Sequence, residues 1–381
     1  MAALSFKVTG KDTAGKARCG LLSLPHGDVK TPVFMPVGTL GTVKAMLPKD
    51  LKDLGARIIL GNTYHLMLRP GADLVERLGG LHRFMAWDGP ILTDSGGFQV
   101  WSLGKIRKIE ANGVRFQSHI DGSEVFLGPK ESMQIQQQLG GDIVMAFDEC
   151  TPYPATMAEA RSSMDLSSRW AQECRNLLLP NDRQALFGIV QGSIYPDLRL
   201  QHLSTLEKIG FEGIAIGGLS VGETKQEMLT VLDALAPHLP EKKPHYLMGV
   251  GTPADLIECI DRGIDMFDCV LPTRNARNGM LFTDHGPLRI KHAIHRDDPR
   301  PVMEDCNCYT CNNFSRAYLR HLYISREILS SSLNTLHNLH YYAALMHRAR
   351  ASLMEGTWPD FRDHYLRTYR CKDQASGENN T

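Results

Sequence analysis

The sequence predicts an α/β fold, a (β/α)8 or TIM barrel, on three observations. Eight short apolar runs recur along the chain, and most are followed by stretches with helical apolar spacing. Near-continuous apolar strands alternating with helices call for a parallel sheet covered on both faces. At 381 residues the chain is long enough to close such a sheet and still carry insertions.

Taken in order, the residues up to about Lys30 read as a small β-rich lead-in, punctuated by Gly10, Gly15, Gly20, Pro25 and Gly27. The barrel runs follow at 33–37, 57–60, 91–94, 143–148, 186–191, 213–217, 246–250 and 266–271, with helices over 158–178, 199–209 and 225–235. Between the third and fourth runs the spacing is too long for one helix. Residues 109–127 there alternate in strand fashion around Asn112-Gly113 and Asp121-Gly122, which predicts a β-hairpin insertion over about 105–130. The region 272–371 exceeds a last barrel helix and carries a cysteine-rich subdomain over about 300–345. From about Lys372 the chain is polar and expected to fray. The whole of 1–381 reads as one catalytic domain, with 33–271 forming the barrel strands and helices.

Lys plus Arg and Asp plus Glu are equal at 42 each, so any surface for a polyanion must be local. The N-terminus has no apolar signal core, and no run of about 18 apolar residues appears, which predicts no membrane segment. Nine cysteines, three of them within 306–311, point to reduced thiols and a metal site, hence the cytoplasm.

Chemistry in a barrel sits at the carboxyl ends of the strands. There this sequence places Asp94 before Ser95-Gly96-Gly97, Asp148 before Glu149-Cys150, Gln191-Gly192, Gly217-Gly218-Leu219, Met248-Gly249 and Asp268. After Asp268 come a short apolar run, a proline, and a polar loop with Arg274 and Arg277 that ends in Gly279. Asp148 and Gln191 can read the donor and acceptor edges of a base. Asp94 and Asp268 can divide the cleavage of a glycosidic bond, one attacking the anomeric carbon and the other moving protons. Each Asp taken singly reads first as a helix cap or ion pair; three together at the strand ends favour the catalytic reading. Cys306, Cys308 and Cys311 have C-x-C-x-x-C spacing, and with His337 they make a closed tetrahedral Zn²⁺ site, structural rather than catalytic. Spacing alone separates His337 from His340 only weakly. Arg316, Arg320, Arg326, Arg348 and Arg350 can join Arg274 and Arg277 in a phosphate-binding track, or form a solvated helix face.

Six long stretches carry a family resemblance: LGNTYHLMLRPG at 60–71, LTDSGGFQV at 92–100, FDECTPYPA at 147–155, IGGLSVGE at 216–223, MGVGTP at 248–253 and MFDCVLPTRNARNG at 266–279. With the zinc pattern they make the chain resemble the bacterial tRNA-guanine transglycosylases, or queuine tRNA-ribosyltransferases, over nearly its whole length. The resemblance implies exchange of the wobble guanine in GUN anticodons for a 7-deazaguanine base, with Asp268 as nucleophile and Asp94 as general acid/base. It implies base recognition by Asp148, Gln191 and Gly218, a pocket lined by Leu219 and Met248, and Phe98 stacked on the base. Val221 in place of glycine, with Cys150, matches the bacterial pattern that narrows the pocket against queuine, and Glu223 favours an aminomethyl cation near the Leu219 carbonyl. The expected base is therefore 7-aminomethyl-7-deazaguanine, with guanine as the base exchanged. The resemblance further implies anticodon contacts from Arg274 and Arg277, one structural Zn²⁺ per subunit, and a homodimer with the zinc subdomain near its interface. Two rivals stand beside it: a hydrolase using the same carboxylates on water, and a non-catalytic RNA-binding subunit.

Overall fold

The computed structural model describes residues 3–103, 107–178 and 183–376. Its lead-in is an antiparallel sheet of β1 (Ser5–Lys11), β2 (Arg18–Leu24) and β3 (Gly27–Thr31). The main sheet is parallel and contains β4 (Val33–Met35), β5 (Val37–Gly38), β6 (Ile59–Gly61) and β7 (Ile91–Thr93). An insertion of β8 (Arg107–Glu110), β9 (Gly113–Gln117) and β10 (Glu124–Leu127) follows. The main sheet then resumes with β11 (Ile143–Met145), β12 (Ala185–Val190), β13 (Gly213–Ile216), β14 (His245–Leu247) and β15 (Met266–Asp268). A last hairpin is formed by β16 (Met280–Thr283) and β17 (Gly286–Arg289).

The main sheet has nine strands in the order β4-β15-β14-β13-β12-β11-β7-β6-β5. The expected eight staves become nine strands because Pro36 has no N–H and interrupts the ladder between β4 and β5. Its carbonyl still accepts from Leu60 at 3.0 Å, so β4 and β5 act as one stave. On the other side β4 pairs with β15, Phe34 opposite Phe267, and the barrel closes. Val33, Met35, Leu60, Leu92, Met145, Phe187, Ile189, Tyr246 and Met266 fill its interior, and Leu22, Leu24 and Val29 of the lead-in pack onto the same cluster. The lead-in therefore plugs the amino-terminal end of the barrel. Arg18 fastens it there, donating to Asp265 Oδ1 at 3.1 Å and to the carbonyls of Glu241 and Lys243.

A second clamp holds the same end. Asp142 accepts from the His26 main chain and ring, at 3.2 and 2.7 Å, and from the Ile91 N–H at 2.9 Å, while His82 Nε2 stands 3.2 Å away. The two imidazoles stack face to face with centroids 3.6 Å apart. A metal lies near the plane of each ring that binds it, and planes inclined by only 16° at this spacing meet far beyond bonding distance of either ring. His26 and Asp142, with His82 stacked on His26, thus tie the lead-in to the barrel.

The hairpin insertion forms where the Asn-Gly and Asp-Gly turns predict it, with β9 central between β10 and β8. Its expected start at 105–106 lies outside the described residues. Two expectations near the other end are corrected. The arginine-bearing segment after Asp268 is a helix, Leu271–Arg277, not a loop: Pro272 occupies its first turn, where a missing N–H costs nothing. The last helix, Trp358–Ser376, runs past Lys372, because an established helix gains a hydrogen bond with each added residue. Before it lies the long helix Ile328–Glu355, which packs on Leu271–Arg277 through hydrogen bonds. Asn334 donates to the Ala276 carbonyl at 3.3 Å, and Asn338 donates to the carbonyls of Pro272 and Met280 at 3.0 Å each. Among the described residues no helix is long and apolar enough to cross a membrane.

Candidate active site

The carboxyl ends of the strands surround a cavity of about 600 Å³. Asp94, Phe98, Asp148, Cys150, Gln191, Gly218, Leu219, Val221, Glu223, Met248, Asp268 and Arg274 all line it. Residues up to 180 positions apart, Asp94 and Arg274, meet there because the strands end at one rim, which is a property of barrel closure and not of local spacing.

Asp94 follows β7 directly and is buried. Oδ1 accepts the Thr63 N–H at 2.7 Å, and Oδ2 accepts from Gln99 Nε2 at 2.8 Å and from the Asn62 amide. Burial outweighs these donors and pushes its pKa up to about 6, helped by the nearby Asp268 charge. Asp268, the last residue of β15, is held differently. Tyr246 Oη donates to Oδ1 at 2.6 Å and the Gly249 N–H donates to the same oxygen at 2.8 Å. Among the described residues no donor reaches Oδ2, which is left open to the cavity. Burial raises the Asp268 pKa, while Tyr246 and Gly249 hold it down. One carboxylate therefore accepts three hydrogen bonds spread over both oxygens, and the other presents a bare oxygen.

Asp148 and Gln191 form the opposite wall. Gln191 Nε2 donates to Asp148 Oδ2 at 2.7 Å and Ser95 Oγ donates to Oδ1 at 3.1 Å. Burial pushes Asp148, too, up to about 6. Gly97 is required beside it, since a Cβ there would stand 2.5 Å from the Asp148 carbonyl. Cys150 is buried, and burial raises its thiol pKa far above the ordinary value. Phe98 lines the mouth of the cavity and is 45% exposed. Glu223 accepts the main-chain N–H groups of Ser220 and Val221, the latter at 3.0 Å, and so fixes the loop that carries Leu219.

The arginines separate. Arg274 is exposed at the cavity with no hydrogen bond to its side chain among the described residues. Arg277 lies behind it, does not line the cavity, and donates to the Thr273 carbonyl at 2.8 Å. Most of the wider basic track is otherwise engaged. Arg316 pairs with Asp298, Arg348 with Asp284, Arg320 donates to the His292 carbonyl and Arg350 to that of Pro32. These side chains are structural ties, which corrects the expectation of a continuous phosphate track. Arg326 remains exposed.

The cysteine cluster assembles as expected. His337 Nδ1 lies 3.9, 3.6 and 3.3 Å from the sulfurs of Cys306, Cys308 and Cys311. A tetrahedral ion with ordinary Zn–S and Zn–N bonds would put sulfur and nitrogen about 3.6 Å apart. His337 Nε2 faces the Phe282 carbonyl at 2.8 Å, which fixes the tautomer that frees Nδ1 for a metal. His340 approaches only Cys306, at 3.7 Å. The four groups are buried and fit a closed metal site.

Sequence reasoning missed the residues that hold the carboxylates: Asn62, Thr63 and Gln99 on Asp94, Ser95 on Asp148, and Tyr246 on Asp268. Asn62 and Thr63 stand in the NTYH stretch and Gln99 in GGFQ, so a polar residue inside an otherwise apolar signature was the available signal.

Comparison with known proteins is consistent along the chain. A family model described as Queuine tRNA-ribosyltransferase matches residues 12–371. A protein named queuine tRNA-ribosyltransferase from Pseudomonas putida is 58% identical over 362 residues, covering 95% of this chain and 97% of its own. The protein of that name from Methylobacillus flagellatus is 59% identical, with 95% and 98% covered. The one from Francisella tularensis subsp. novicida is 55% identical over 370 residues, with 97% and 100% covered.

Proposed function

The chain belongs to the queuine tRNA-ribosyltransferase family, and from that premise we propose that it exchanges the wobble guanine of GUN-anticodon tRNAs for 7-aminomethyl-7-deazaguanine, a step of queuosine biosynthesis. It is a pentosyltransferase. The observation that carries the finer reading is the unequal treatment of the two carboxylates: Asp268 keeps a bare oxygen facing the cavity, while Asp94 is clamped by three donors.

In this reading Asp268 Oδ2 attacks C1′ of the target nucleoside as the bond from C1′ to guanine breaks. The ribose becomes an aspartyl ester, and the departing guanine takes a proton from Asp94. The incoming base returns a proton to Asp94, its nitrogen attacks C1′, and the Asp268 carboxylate leaves. Two displacements restore the β configuration, the proton account closes, and the RNA backbone is untouched. With a pKa of about 6, Asp94 is about one-tenth protonated at pH 7, so both forms are accessible. Tyr246 and Gly249 hold Asp268 so that Oδ2 alone is free to react.

Asp148, Gln191 and Gly218 read the base edge, Leu219, Met248 and Cys150 shape the pocket, and Phe98 stacks on the base. Val221 narrows the pocket against a larger 7-substituent, and Glu223 with the Leu219 carbonyl offsets an aminomethyl cation. Arg274 contacts anticodon phosphate, and Arg277 supports it from behind. Cys306, Cys308, Cys311 and His337 would hold Zn²⁺, one per subunit, whose chemistry is to cross-link the subdomain over 300–345. Exposed Ile328, at 84%, with Tyr309 and Tyr318, favours a homodimer through that subdomain. The chain acts as one catalytic domain over 1–381 in the cytoplasm.

The test uses unmodified tRNA and labelled guanine. Incorporation without abasic product is expected, whereas abasic product would favour hydrolysis. Without free base, the wild type should leave a denaturation-resistant tRNA adduct that Asp268→Asn abolishes. Survival of the adduct in that variant would move the nucleophile to Asp94.

A further inference from the structure

Arg199, on the helix Pro196–Ile209, is completely buried behind the cavity wall. Among the described residues no carboxylate hydrogen-bonds it. Its guanidinium donates only to main-chain carbonyls: Nε to Ser193 at 2.7 Å, Nη1 to Val190 at 2.9 Å and Gly217 at 2.6 Å, and Nη2 to Gly218 at 3.1 Å. Burying a cation whose hydrogen bonds go only to main-chain carbonyls is costly, and burial lowers its pKa to about 10 against the opposing field of Glu223. An apolar side chain would fill the same space without that cost, so the fork of donors needs a reason.

The reason lies in the peptide plane. Carbonyl and N–H of a trans peptide point to opposite sides. With the Gly217 and Gly218 carbonyls turned onto Arg199, the N–H groups of Gly218 and Leu219 are turned away from it, toward the cavity that Gly217, Gly218 and Leu219 line. Among the described residues neither N–H meets a protein acceptor. A donor on the carbonyl also polarises the peptide and strengthens its N–H. The backbone here is tightly constrained: Gly218 has φ +60°, and a Cβ on it would stand 2.3 Å from Gln191 Oε1. One turn along the same helix, His202 Nδ1 accepts the Gln191 N–H at 2.8 Å. A single helix thus sets both the amide and the glycine sides of the wall.

We propose that Arg199 is a positioning residue for base recognition: it turns two successive peptides so that their N–H groups present a paired donor to the ring carbonyl oxygen of the purine. This rests on the transglycosylase reading. The same pair would receive the carbonyl oxygen of the departing guanine as negative charge spreads onto it, so Arg199 serves both halves of the exchange without touching either base.

The test compares guanine with 2-aminopurine, which lacks the 6-oxo group, by competition in the exchange assay and by direct titration. The wild type should prefer guanine by at least about tenfold, the scale of one to two good hydrogen bonds to a charge-bearing acceptor. Equal affinity in the wild type overturns the proposal with no variant needed. Arg199→Lys keeps the charge and loses the fork. It should lower the guanine preference and raise the guanine KM by roughly tenfold, with the tRNA KM within about twofold of wild type. Arg199→Met should do the same. An unchanged guanine preference in a folded variant, or equal rises in both KM values, would make Arg199 a packing residue only. Adduct formation by the wild type without free base tests the underlying reading separately, so either can fail while the other stands.

Discussion

Replacing Tyr246 by Phe removes one oxygen from the interior and leaves the ring in place, so the effect should fall on Asp268 alone. The lost bond is the 2.6 Å donation from Tyr246 Oη to Oδ1; the Gly249 N–H at 2.8 Å remains. A hydrogen bond to a charged acceptor contributes about 1.5–3 kcal/mol. Because the donor favours the carboxylate over the acid, its loss raises the pKa of a group that burial has already raised. Asp268 must be ionised to attack, so the rate of adduct formation should fall earlier as the pH is lowered. At about 1.4 kcal/mol per pH unit, the acidic limb should move up by at least about one unit, roughly a tenfold loss on the limb. Well above both values the loss should be smaller. Single-turnover adduct formation with unmodified tRNA across a pH series measures this. An acidic limb that stays in place, or moves down, would mean that Asp268 is not the group whose ionisation starts the reaction.

Three further perturbations test other parts of the molecule. Val221→Gly should raise kcat/KM for queuine by roughly tenfold or more, the scale of a relieved side-chain block in a pocket; no gain in a steady-state assay would show that Val221 is not the gate. Chelation, or His337→Ala, should release about one zinc per chain by elemental analysis and lower the thermal midpoint, since structural zinc contributes folding free energy directly. Protein isolated without stoichiometric zinc would contradict it. Asp142→Asn should cost about 2 kcal/mol, because the amide turns a donor toward groups that already donate. Its histidine partners and the Ile91 N–H hold the Asp142 pKa below the ordinary value against its burial, so its stabilisation is present above the unfolded carboxylate pKa and lost as pH falls through the folded one. Thermal unfolding of both proteins over acidic pH should therefore converge; a constant gap would exclude the linkage.

The barrel was legible because buried parallel strands are continuous apolar runs, a pattern that needs no partner to be seen. Pro36 was harder, since a proline closing an apolar run looks like its end, and only the pairing on both sides shows one stave. The acids were legible by their position after the runs; their keepers were not. Tyr246 is written in the same letters as a core tyrosine, and its hydroxyl acquires a role only when β14 is laid beside β15. His337 and His340 lie three residues apart on one helix, and what separates them is proximity to all three sulfurs and the carbonyl of Phe282. The basic track failed for the converse reason: composition counts charges, whereas Asp284, Asp298 and the carbonyls of His292 and Pro32 had already engaged four of the five tail arginines.

The long helix Ile328–Glu355 has a bearing on biogenesis. It ties Tyr342 to the Gly251 carbonyl, Asn338 to Pro272, and Arg350 to Pro32, across the seam where β15 meets β4. During synthesis the plug and early staves leave the ribosome with both sheet edges unpaired, and the ring cannot be bolted shut until this helix has emerged. Folding is therefore end-loaded, and a nascent or prematurely terminated chain exposes open strand edges that invite aggregation. A chain that stops before β15 also lacks Asp268 and one wall of the cavity.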